Sequence, residues 1–86
     1  MALPALAYGS DSGTVYCGTN DVAVRHRTYD YTVIQVPSGT TIDTRNYASY
    51  TTSTTTTLIS GTKTWRVLSW EGGVDASATY GFCWGN

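Results

Sequence analysis

Side-chain chemistry needs a proton carrier, a nucleophile, a metal ligand or a positioned charge, and this chain holds few of them. It has one histidine, His26, two cysteines, Cys17 and Cys83, and six carboxylates: Asp11, Asp21, Asp30, Asp43, Glu71 and Asp75. General acid–base catalysis requires a positioned pair. These carboxylates are scattered and mostly sit at turn-like positions, so each reads as a turn or cap residue. His26 alternates with Val22 and Val24, the pattern of a half-buried strand residue rather than a general base. A nucleophilic cysteine would have to draw on that same histidine, and the ligand count is too low for zinc. Neither Gly39 nor Gly72-Gly73 precedes a helix that could cradle phosphate, and Asp11 and Asp75 lie in no calcium-loop motif. The expectation is therefore no enzyme, no cofactor and no metal.

What remains is a binding surface. Arg25, Arg27, Tyr29 and Tyr31 share one parity, so on an unbroken strand they would form a stripe of two guanidinium groups and two phenols. Arg meets phosphate or carboxylate in a two-bond fork, and Tyr stacks on sugars or headgroups with its hydroxyl in water. Asp30 and a turn signal near Thr28-Tyr29 argue against continuity, and a merely solvated face is the competing reading. A second aromatic group comprises Trp65 and Trp70, with Arg66 between, then Tyr80, Phe82 and Trp84. On the last strand these three aromatics face one way and Cys83 the other. Burying them would remove the most apolar area from water, so they are expected in the core. The alternative is an exposed aromatic ledge for a carbohydrate or protein partner.

The elements that must carry these residues are strands. Helical periodicity is absent, whereas β-branched and aromatic residues fall in short runs punctuated by Gly, Pro, Asn, Asp and Ser. Seven such runs are predicted at 14–17, 22–28, 31–36, 40–45, 50–59, 64–70 and 78–84, with Ile42 the one clear inward residue of the fourth. The fold class expected is all-β, a small antiparallel β-sandwich or barrel of about six to seven strands with one disulfide. The run Thr51-Thr52-Ser53-Thr54-Thr55-Thr56-Thr57 is read as a strand. A mobile or glycosylated loop, or an ice- or crystal-facing ladder of Thr52, Thr54 and Thr56, are alternatives. A Thr-rich strand with little charge at a sheet edge would leave edge-to-edge oligomerisation open.

With 86 residues this is one domain, small enough that core burial alone leaves stability marginal. Cys17 and Cys83 near its two ends suggest a bridge, which persists only in an oxidising compartment. Met1-Ala2-Leu3-Pro4-Ala5-Leu6-Ala7 carries a small-x-small site of the signal-peptidase type. Residues 1–7 thus read as the tail of an export signal, or else as an ordinary apolar tail, and residues 8–86 as the single β domain. A net charge of −1 with only five Lys and Arg disfavours nucleic acid. No apolar run approaches the length of a membrane-spanning helix. The localisation expected is secreted, extracellular.

Gly61-Thr62-Lys63-Thr64-Trp65 and Asp75-Ala76-Ser77-Ala78-Thr79-Tyr80-Gly81 resemble the closing part of the lactococcin-type secreted bacteriocins. The resemblance covers roughly the C-terminal third. It implies export, a small β-sandwich, and antagonism of other bacteria through a cell-wall precursor. The family's His- and Tyr-rich opening is missing and the Cys pair departs from it, so no binding site is carried over. The function expected is a secreted bacterial binding module, bacteriocin-like or a small subunit of an antibacterial toxin assembly, with a protein or cell-envelope glycan as partner. An extracellular inhibitor or adhesion domain, and a structural fibre or coat subunit, are the alternatives.

Overall fold

The computed structural model describes residues 9–85; the proposed export remnant at 1–7 lies outside them. Strand β1 runs Gly9–Gln35, β2 runs Thr41–Ser69, and β3 runs Tyr80–Trp84. A 3₁₀ turn, Ala76–Ala78, precedes β3 and is capped by the Asp75 carboxylate, which accepts from the Ser77 amide. The strands form one antiparallel sheet in the order β2-β1-β3. All-β architecture is as the sequence implies, but there is no sandwich or barrel of six to seven strands.

The difference arises at residues that favour turns. Gly18, Asp30 and Gly61 all have positive φ, at 59°, 65° and 95°, a region that Gly enters freely and Asp tolerates. Here they lie inside strands and do not reverse the chain. The register shifts between Tyr16 and Asp21, and again between Thr28 and Asp30, mark bulges through which pairing continues. Two short runs thus fuse across each bulge. Among the described residues, true reversals occur at 36–40, where Thr40 N donates to Pro37 O at 2.9 Å, and after Ser69.

The bends bring distant parts of the long strands together. Thr32–Gln35 pairs on one side with Thr41, Asp43, Thr44 and Arg45, and on the other with residues 66–69, which also pair with residues 9–12. The inner face so enclosed holds Cys17, Val22, Val24, Ile34, Val36, Trp65 and Val67. From Val22 onward the inner-face positions 22, 24, 26, 28, 32 and 34 of β1 are buried and keep one parity, interrupted at Asp30, while Ala23 is buried on the other face. This is the alternation expected for Val22, Val24 and His26.

Two core assignments are corrected. Ile42 is exposed, and it is the neighbouring parity of β2, Asp43 and Arg45, that is half-buried. Tyr80, Phe82 and Trp84 lie outside the core, with Tyr80 half exposed. The disulfide decides this. Cys17 and Cys83 are bonded with Cα atoms 5.3 Å apart, and Cys17 belongs to the inner face. Cys83 therefore takes the inward parity of β3, Gly81 with it, and the three aromatics take the other. Among the described residues no helix is long and apolar enough to cross a membrane.

Candidate functional site

The outward face of the sheet around β1 is assembled by register. Directly opposed residues of an antiparallel pair share a face. Arg25 lies between Thr54 of β2 and Tyr80 of β3; Ala23 lies between Thr56 and Phe82; Arg27 is opposite Thr52. Three rows result: threonines, then Arg27, Arg25 and Ala23, then aromatics. Tyr80 and Phe82 rings are 5.9 Å apart. The Trp84 indole Nε1 donates to the Thr57 carbonyl of β2 at 3.2 Å, so this side chain reaches across β1 from the far strand. Ala23, between Thr56 and Phe82, is fully buried on this face.

The candidate stripe is brought together in part. Arg27 is neutralised by Asp75 at 3.0 Å, and its guanidinium lies 5.0 Å from the ring centroid of Tyr50. Tyr29 meets the same Tyr50 ring edge-on at 5.0 Å, and its hydroxyl donates to the Glu71 carbonyl at 3.3 Å. These two side chains hold the outer surface together. Tyr31 is exposed, but it stands beyond the Asp30 bulge and outside this assembly. Arg25 differs from all of them. Among the described residues it has no carboxylate partner, and its Nε is buried with no hydrogen-bond partner. The site residues that sequence reasoning placed in the core are Tyr80, Phe82 and Trp84; the bridged Cys83, which must face its partner, was a partial signal, completed only by the inward orientation of Cys17.

Under the sheet runs a polar network. The fully buried His26 has Nε2 3.0 Å from Thr55 Oγ1, and the Thr55 hydroxyl donates to Asp43 Oδ2 at 2.7 Å. Because the hydroxyl proton goes to Asp43, Nε2 is the donor to Thr55, and the ring is neutral with Nδ1 bare. Burial and the positive Arg45, outweighing Asp43, lower the pKa of His26 to about 4. Burial opposes the charge on Asp43, but hydrogen bonds from Arg45 and Thr55 hold its carboxyl below the usual range. Arg45 closes the network with an Nη2 contact to Asp43 at 2.8 Å. These groups tie β1 to two separate stretches of β2. Among the described residues no three His, Cys, Asp or Glu side chains cluster as metal ligands would.

No family model, no curated protein and no solved structure matches the chain. The resemblance to lactococcin-type bacteriocins rests on the quoted residues alone.

Proposed function

We propose that the protein is a secreted, non-enzymatic binding module whose partner docks on the outward face of the sheet, with Arg25 at the centre. One observation carries this reading: a desolvated guanidinium nitrogen without an acceptor, between a hydroxyl row at Thr54 and Thr56 and an aromatic row at Tyr80 and Phe82. Nε itself is closed to solvent, so a partner's carboxylate or phosphate oxygen would meet the charge through the rest of this half-buried guanidinium, which has no carboxylate opposite it among the described residues. The aromatic rows add stacking area of the kind found at interfaces. The partner is an acidic protein surface or an anionic cell-envelope glycan. The disulfide is compatible with an extracellular setting, and a bacteriocin-like role is the biological setting we favour.

The test is capture from cell-wall extract and culture supernatant by the immobilised protein, with a growth-inhibition halo assay alongside. Arg25→Ala is expected to lose captured material and flatten its salt dependence. Arg66→Ala, on another part of β2, should retain both. Equal capture by wild type and Arg25→Ala at two salt concentrations would overturn the site.

A further inference from the structure

We infer that two copies of this chain associate through the free edge of β2, pairing residues 50–58 antiparallel with the same residues of the second copy about a two-fold axis at Thr54. Residues 51–60 pair with β1 on one side, and among the described residues nothing pairs with the other. Natural edges are guarded by charge, proline or brevity. From Asn46 to Thr62 there is no charged residue and no proline, and the open stretch is long.

The side chains on this edge are self-complementary. Tyr50 and Leu58 are 42% and 91% exposed, and they sit four residues either side of Thr54 on the outward parity. In an antiparallel two-fold pair, Tyr50 of each copy lies opposite Leu58 of the other, Thr52 opposite Thr56, and Thr54 opposite itself. Aromatic–aliphatic and Thr–Thr cross-strand pairs are among the stabilising ones. A two-fold contact uses the same patch on both copies, and it matches a pattern symmetric about one residue. An unrelated partner would require no such symmetry. Arg45, held by Asp43, also reaches the Ser53 hydroxyl on this stretch. It approaches the Thr54 carbonyl at 3.4 Å, a long contact that leaves the oxygen a second lone pair for an edge partner.

The assembly is closed, because the pairing consumes the longest uncharged edge; β3 offers only five residues, and the other open stretch, Gly9–Tyr16, carries Asp11. Its outward face is continuous across six strands and displays two Arg25 side chains. The dimer stands independently of what that face binds.

Sedimentation equilibrium of the oxidised full chain over a concentration series tests the inference. The expected species has twice the 9.3 kDa chain mass. Thr54→Lys places two like charges across the axis and should return the chain mass, as should Leu58→Lys. Neither position is in the core, and circular dichroism with an intact disulfide verifies the fold. Mixing Thr54→Lys with Thr54→Glu should restore the double mass, a result specific to Thr54 facing Thr54. A monomeric wild type at the highest attainable concentration would overturn the inference. So would a dimer indifferent to both lysine variants, filaments or higher oligomers, or failure of the mixture to pair.

Discussion

The indole of Trp65 closes on the backbone of Gly81: a Cβ at position 81 would stand 2.6 Å from both Cδ1 and Nε1 of the ring. Gly13, the cross-strand partner of Trp65, also meets the ring, with a Cβ there 2.9 Å from Nε1. The largest core side chain is thus accommodated by two residues without one. Gly81→Ala should destabilise the protein by about 1–3 kcal/mol, the range for overpacking a filled interior. A denaturant melt followed by tryptophan fluorescence reads the effect, and an unchanged midpoint would contradict the contact.

The bridge from Cys17 to Cys83 closes a separation of 66 residues. In the chain-entropy picture this restricts the unfolded chain enough to contribute about 4 kcal/mol. Reduction should lower the melting temperature by more than about ten degrees, given that 1 kcal/mol moves a domain of this size by roughly 4–8 °C. Scanning calorimetry with and without reductant gives the shift. Two reactive thiols in the untreated native protein would contradict the pairing.

The two faces of the sheet should respond differently to truncation. Ile34 is fully buried, and Ile34→Ala is expected to cost about 2–5 kcal/mol. Phe82 is only partly buried on the outer face, so Phe82→Ala should cost about 1–2 kcal/mol from the apolar area it covers. The same variant should weaken capture of the partner. A loss for Phe82→Ala as large as that for Ile34→Ala, in melts of equal slope, would place the aromatic row in the core after all.

His26 makes stability depend on acidity. Its pKa is about 4 folded against 6.5 unfolded, so between these values the unfolded chain binds the extra proton. The stabilisation is fully present above pH 6.5 and is lost as pH falls toward 4, by at most about 3 kcal/mol. Asp43, whose pKa is also depressed, adds a further loss below its ordinary range as its carboxylate protonates. Urea melts at a series of pH values should show the decline beginning near neutrality, and His26→Gln should flatten the upper part. A wild-type profile level from pH 7 to 4.5 would refute the assignment.

The chain alone determined its strand character, its single bridge and the inward parity of β1. Each follows from local information: β-branched residues at period two, and two cysteines in a small domain. The outward placement of Tyr80, Phe82 and Trp84 was not legible, because the bridge fixes it only once Cys17 faces inward, and Cys17 joins the face of Val22 and Val24 through the bulge between Tyr16 and Asp21. Nor was strand number. Gly18, Asp30 and Gly61 permit a positive φ, and that conformation serves a reversal and a bulge alike; only pairing with a distant partner selects between them. Partner choice was equally hidden at Arg25 and Arg27. Two arginines of one parity, two residues apart, have the same local signature. Asp75, 48 positions along the chain, neutralises Arg27 and leaves Arg25 without a carboxylate. That distinction is made by the path of the chain after β2, and long-range contact of this kind leaves no periodic trace in the residues it joins.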